Sequence, residues 1–387
     1  GASQRSKAHV LSGLDSIGRY DHLLKGRRIG LMTNPTGIDH ALRSGIDILH
    51  SRYGLSALFG CEHGVRGNAQ AGEAVEPYVD EHTGVMVYSV YGQTDRLTEE
   101  MLDAFDVLVF DMQDVGVRCY TYLYSLAYAM QACARAGKSM LVLDRINPIG
   151  GHKHGGTILD PRFRSFVGDY GLPTRYALTI GEYARYVRQH LGLDIDLKVV
   201  PLTGWSRHMY LDDTDLPWVA PSPNCPTLNA ALAYIGTCIF EGTNVSEGRG
   251  TTLPFELIGA PWIDSAALAK RMAACGIKGV HFRPASFQPA FSKHQGQLCH
   301  GVQLHITDRE QADNFYAGLK LLEVIRELYP ERLQYLSWDG GKTHALDKLL
   351  GTDAFRTGRQ TADELTAAHA PGVADFVERA KPFMLYP

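Results

Sequence analysis

The stretch FGCEHGVRGNAQAGE sets Glu62, His63, Arg66 and Glu73 among glycines directly after an apolar run. A carboxylate at a strand end, ringed by glycines, can approach a ligand closely, and partial burial raises its pKa toward that of a proton donor. DMQDVGVRCYTY packs Asp111, Gln113, Asp114, Arg118, Tyr120 and Tyr122 into twelve residues. Two acids with an amide between them suit sugar hydroxyls, and the planar guanidinium suits a carboxylate or phosphate. An Asp–Arg ion pair locking a strand-to-helix turn would explain one of these residues but not all. EGTNVSEGRGTTLPFE places Glu241, Asn244, Glu247, Arg249 and Thr251 among glycines. Such a loop lets backbone approach a ligand, or else packs tightly between domains.

LDRINPIGGHKHGG carries Asp144, Arg145, Asn147, His152 and His154. His-x-His can ligate a metal, but no third ligand stands at a telling spacing, and neither H-E-x-x-H nor D-x-D-x-D occurs. The expectation is no metal and no cofactor. Gly341-Lys342-Thr343 ends like a phosphate loop, but Leu336 stands where its first glycine belongs. No G-x-G-x-x-G follows the first strand and no G-x-S-x-G is present; Ser222 and Ser246 lie in loops without a triad. Carboxylates, aromatics and arginines remain, an inventory suited to carbohydrate chemistry.

The elements that hold these groups follow from the apolar pattern. RRIGLMTN, LSALFG, VMVYSV, DVLVFDMQ and SMLVLDR read as short buried strands. A helix is expected from about Ser44 to Tyr53, another through YTYLYSLAYAMQACARAG ending at Gly137, and a third from Thr179 to His190 with Glu182 closing a capping box. Strands apolar on both faces, alternating with helices, predict a mostly parallel sheet covered by helices. Each polar cluster follows a strand end, and in such sheets the ligand crevice lies outside the carboxyl ends. Further on, Asp264 predicts a helix cap, GVHFRPASF and HGVQLHIT predict strands, and Asp308 to Leu328 predicts a helix. The expected fold class is α/β: a Rossmann-like mostly parallel sheet domain over residues 1–260 with long cleft loops, and a smaller α+β C-terminal domain over 261–387.

Composition narrows the partners. The 38 basic and 42 acidic residues give a net charge of −4, which argues against nucleic acid. No run approaches the roughly 18 apolar residues of a membrane helix. The chain opens on Gly1 rather than Met, as a trimmed or mature end would. Seven cysteines, an odd number without C-x-x-C, predict core thiols rather than a disulfide or zinc scaffold, with Cys61 and Cys119 beside polar motifs.

The ordered series GLDSI, GLMTNPTGID, FGCEHGVRG, FDMQDVGVRCYTY, LDRINPIGG, SFVGDYGLPTRYALTIGE, PSPNCPTL and EGTNVSEGRGTTLPFE resembles the DUF1343 family, described as exo-β-N-acetylmuramidases of the NamZ type. The resemblance runs from about Gly13 to the terminal PFMLYP. Cys61 stands where members often have Pro, and Ile146 departs from the common DRPNP. What it implies is removal of N-acetylmuramic acid from the non-reducing end of peptidoglycan fragments, by a glycoside hydrolase in a secreted or periplasmic location, with the cytoplasm as the alternative.

Placed on the family's motifs, the catalytic candidates are Glu62 as general acid and Asp111 or Asp114 as the group that activates water or orients the substrate acetamide. The substrate-binding candidates are His63, Arg66, Glu73, Gln113, Arg118, Tyr120, Tyr122, Asn224, Glu241, Glu247 and Arg249. Arg118, or else Arg249, is expected to grip the lactyl carboxylate of muramic acid. Glu73 reads as a second acid or a loop anchor. The rival readings are a metal-dependent hydrolase using His63, His152 and His154, and a non-catalytic protein that binds the muramyl sugar.

Overall fold

The structure is a computed structural model describing residues 6–68, 76–91 and 96–387. Its strands are β1 (Ile29–Thr33), β2 (Leu55–Gly60), β3 (Tyr78–Val79), β4 (Met86–Ser89), β5 (Val107–Asp111), β6 (Ser139–Leu143), β7 (Gly155–Ile158), β8 (Pro173–Arg175), β9 (Leu197–Val200), β10 (Leu257–Ala260), β11 (Val280–Phe287) and β12 (Cys299–Ile306). The main sheet runs β3-β4-β2-β1-β5-β6-β9, parallel except for the β3–β4 edge.

Both faces of this sheet are buried, as continuous apolar runs require. Leu108 and Phe110 of β5 pack with the helices Tyr122–Ala136 and Ile180–His190, while Val107 and Val109 pack with Ile46 and Leu49 of the helix Gly45–Tyr53. Gly137 ends the first of these helices in a left-handed conformation, and Thr179 and Glu182 form the expected box. Each parallel strand therefore delivers the polar cluster that follows it to the carboxyl edge of the sheet.

A second layer holds the three-stranded sheet β10-β12-β11. Helices Leu228–Thr237 and Asn314–Leu328 cross where Gly236 meets Gly318; a Cβ on Gly318 would stand 2.0 Å from the Gly236 carbonyl oxygen. This layer draws on β10 and on the Leu228–Thr237 helix, both ahead of residue 261. The helix expected from Asp308 starts at Asn314. Asp308 instead accepts from the Glu310 and Gln311 amides in a turn, and Asp313 caps the helix through the Tyr316 amide. The two layers share one core: Val115 and Val117 pack with Leu319 and Leu346, and Phe376 of the last long helix joins the core beneath the main sheet.

The seven cysteines are free, and six are buried. Among the described residues no helix is long and apolar enough to cross a membrane.

His154 lies against Phe376, ring centroids 6.4 Å apart, with its Nε2 buried and without a partner among the described residues. Burial, then the nearby Arg207 and Arg175 charges, pushes the imidazole down to about 4. Unfolded, it titrates near 6.5. Its contribution is thus complete above pH 6.5 and is lost as pH falls toward 4, up to about 3 kcal/mol. Burial pushes Asp114 up to about 6 and Asp144 up to about 7, so these acids act in the opposite sense over the same window. The His154→Phe variant isolates the first effect. Its unfolding free energy relative to the parent should rise steadily between pH 6.5 and pH 4; a difference independent of pH would contradict the assignment.

Candidate active site

β2 ends at Gly60, and the chain turns sharply through Cys61 to Gly64. The Gly64 amide donates to the Cys61 carbonyl at 3.1 Å, and His63 takes a φ of 71°. That conformation is costly for a residue with a side chain and clusters at functional sites. The turn presents Glu62 and His63 to a cavity of ≈480 Å³. His63 Nε2 stands 3.9 Å from Glu62 Oε1, and the Glu62 side chain stays 31% exposed. Burial, then the adjoining Glu62 carboxylate, pushes the Tyr91 phenol up.

The second wall comes from the loop after β5. Cys119, Tyr120 and Tyr122 line the cavity at the start of the Tyr122–Ala136 helix. Tyr120 packs edge-on to both Tyr122 and Tyr234, at 5.0 and 6.1 Å. The Tyr122 hydroxyl donates to the Pro221 carbonyl, which steadies the segment bearing Ser222 and Asn224 on the third wall.

The fourth wall is a charged quartet. Arg249 Nη2 donates to Glu241 Oε1 at 3.2 Å, and its Nε lies 3.3 Å from Glu247 Oε1. Lys293 Nζ stands 2.6 Å from Glu247 Oε2 and also donates to the Phe240 and Val245 carbonyls. Glu247 is thereby only 2% exposed, with a cation on each side. Burial raises the Glu241 carboxyl; Arg249 opposes the rise and the Glu247 charge adds to it. Arg249 Nη1 makes no hydrogen bond among the described residues, so a donor remains on a guanidinium that lines the cavity.

The expected residues therefore divide. Glu62, His63, Tyr120, Tyr122, Asn224, Glu241, Glu247 and Arg249 all line this cavity. The others described do not. Asp111 is buried in a two-pronged ion pair with Arg145, Oδ1 to Nε 2.5 Å and Oδ2 to Nη2 2.9 Å, joining the ends of β5 and β6. Burial pushes its carboxyl up, while Arg145 pulls it down. Asp114 is buried behind the wall, accepting from the Tyr176 hydroxyl and the Gly116 amide. Gln113 donates its amide to the Asp114 and Ile146 carbonyls and borders a separate, smaller recess. Arg66 is clasped by Asp80, at 2.6 and 3.0 Å, and by Asp47 at 3.0 Å, which fixes its own loop. Glu73 lies outside the described residues.

Arg118 is the largest correction. It is wholly buried and donates to the carbonyls of Thr157, Leu172 and Leu349 and to the Thr157 hydroxyl. A guanidinium placed there ties the two layers together and cannot reach a ligand. Arg118→Met should leave three buried carbonyls without their donor, costing about 3–5 kcal/mol. Thermal unfolding should show a Tm lower by about 4–6 °C; an unchanged Tm would refute this structural role.

The histidines of the metal reading do not converge. His152 Nε2 faces Glu310 at 3.0 Å and its Nδ1 the Arg207 carbonyl, while His154 packs on Phe376. Among the described residues, the one Asp/His group with ligand atoms within 4.8 Å of one another is Asp15, Asp39 and His40. There Asp15 holds His40 at 2.8 Å and Asp39 holds Arg43 at 2.7 Å.

Thr121, Phe166, Val167, Ser222, Tyr234, Ser292, Lys293, Leu336 and Trp338 also line the cavity, and Tyr91 adjoins Glu62, without having been expected in the site. Apart from Thr121, they lie outside the four polar clusters from which the site was expected. The one usable signal was Ser222, two residues from Asn224 in PSPNC.

An open sheet with an acid-lined cavity at its carboxyl edge, roofed by a second layer, defines an α/β enzyme for a small polar substrate. The chain belongs to the NamZ family of exo-β-N-acetylmuramidases, whose N-terminal model matches residues 29–229 and whose C-terminal model matches residues 232–386. It is 47% identical over 386 residues to the peptidoglycan beta-N-acetylmuramidase NamZ of Bacillus subtilis (strain 168), covering 98% of this chain and 92% of that one. Two crystal structures of DUF1343 family proteins from Bacteroides fragilis NCTC 9343 are similar to it. One has 34% identity and a TM-score of 0.89, covering 99% of this chain and 100% of that one. The other has 32% identity and a TM-score of 0.77, covering 97% and 99%.

Proposed function

We propose that this protein is an exo-acting glycoside hydrolase that releases N-acetylmuramic acid from the non-reducing end of peptidoglycan fragments, with Glu62 as the proton donor. One observation carries the role of Glu62. Three carboxylates line the cavity; Glu241 and Glu247 are committed to Arg249 and Lys293 by ion pairs, whereas Glu62 is paired with no Lys or Arg among the described residues. An acid so placed is free to give its proton to the departing oxygen and to recover it from water. His63 and Tyr91 flank it.

Glu241 is the second carboxylate. It is more open than Glu247, with 23% of its side chain exposed. It orients the substrate acetamide or draws the proton from the attacking water as the oxocarbenium-like charge develops. Arg249 binds the lactyl carboxylate through its remaining donors, the feature that separates muramic acid from glucosamine. A wall-derived substrate is met outside the cytoplasmic membrane, so a secreted or periplasmic location belongs to the same reading. Digestion of a defined MurNAc–GlcNAc fragment, followed by mass spectrometry, should show free N-acetylmuramic acid as the product from the non-reducing end. Intact fragment bound at saturation without turnover would favour the sugar-binding alternative.

A further inference from the structure

The cavity lining grades from buried to exposed. Cys119, Tyr122 and Glu247 lie at the buried end, whereas Phe166 is 53% exposed and Trp338 40% exposed. These two rings touch each other, with centroids 6.1 Å apart and planes at 48°, yet each keeps about half of its surface open to water. Large exposed apolar side chains call for a reason when they gather in one place.

Both rings stand on rigid supports. Phe166 occupies the tip of a tight turn in which the Ser165 and Gly168 backbones exchange hydrogen bonds of 2.9 and 3.2 Å, and the Ser165 hydroxyl accepts from the Val167 amide. Trp338 follows a segment pinned by the Leu336 amide to the Gly242 carbonyl at 2.9 Å. Next to it, the Asp339 carboxylate gathers Ser337 and the Thr343 amide. Little side-chain or loop freedom is left to lose when a ligand arrives, so contact area there converts efficiently into affinity.

We propose that Phe166 and Trp338 form a stacking corner for the leaving-group sugar, the N-acetylglucosamine joined to the muramic acid that is removed. The proposal rests on the exo-muramidase reading of the cavity. Removal of a terminal sugar places that sugar at the buried end, beside Glu62 and Glu241, and sends the rest of the fragment toward solvent past the exposed rings. A β-linked glucosamine carries its ring substituents equatorially, which leaves two C–H faces with apolar character. One face lies on an indole, and its edge meets the second ring, the geometry that a tilted aromatic pair offers. The surrounding Leu336 and Val167 extend the apolar floor.

The test compares two substrates that share the muramyl group. One is the MurNAc–GlcNAc disaccharide; the other is 2,2,2-trifluoroethyl β-N-acetylmuramide, activated but without a ring to stack. Trp338→Ala should lower kcat/KM on the disaccharide about tenfold, mainly through KM. That loss should exceed the loss on the trifluoroethyl compound at least about fivefold. Phe166→Ala should act in the same sense, and Trp338→Phe should recover most of the loss. Activity on the small substrate doubles as the folding control. Equal losses on both substrates, or no loss on the disaccharide, would overturn the stacking corner. Failure of the unaltered protein to cleave either substrate would instead overturn the muramidase reading, and the stacking corner with it, before any variant is compared.

Discussion

Glu62→Gln is expected to lower kcat on the MurNAc–GlcNAc disaccharide by about 10²–10⁴-fold with little change in KM. The substitution keeps the shape of the side chain and its place on the strained turn between Cys61 and Gly64. It removes only the ability to transfer a proton. The loss should therefore depend on the leaving group. A sugar alkoxide needs a proton as the bond breaks, whereas 4-nitrophenolate does not, so the same variant should lose far less on 4-nitrophenyl β-N-acetylmuramide. An equal loss on the two substrates would show that Glu62 acts in some other way, for instance as a nucleophile. Full activity on both would remove it from the mechanism.

The second large effect concerns Arg249. Arg249→Gln should reduce kcat/KM on muramides by about 100-fold, chiefly through KM, while the matching glucosaminide loses much less. Two charge-assisted hydrogen bonds to the lactyl carboxylate are enough for that figure, since about 1.4 kcal/mol is tenfold. The variant also leaves Glu241 and Glu247 with Lys293 as the remaining cation of the quartet. Arg249→Lys separates the two consequences. It restores the charge between the glutamates but not the planar fork, so it should recover stability fully and selectivity only in part. Equal losses on muramide and glucosaminide would mean that Arg249 organises the wall rather than reading the substrate.

The sheet was legible because its signal is local. Val107 to Phe110 are apolar at every position, which only a strand covered on both faces tolerates, and the turn residues after each strand mark the carboxyl edge. Thr179 with Glu182, Asp264 and Gly137 marked helix ends through chemistry confined to one turn. The site was legible only as four candidate loops. Sequence could not say which polar groups in a loop face inward and which serve the fold. Asp111 and Arg118 sit in the same motif as Tyr120 and Tyr122, yet Asp111 is claimed by Arg145, 34 residues on, and Arg118 by carbonyls as far away as Leu349. Such partners are set by tertiary packing. Lys293, Phe166 and Trp338 were missed for the converse reason: nothing near them in the chain shows what they meet in space.

The exo-muramidase account is tested most directly by one paired assay of the unaltered protein, turnover of 4-nitrophenyl β-N-acetylmuramide against 4-nitrophenyl β-N-acetylglucosaminide. A cavity whose arginine binds the lactyl carboxylate predicts hydrolysis of the muramide with a strong preference over the glucosaminide. Folded protein that turns over neither, or that prefers the glucosaminide, would contradict it.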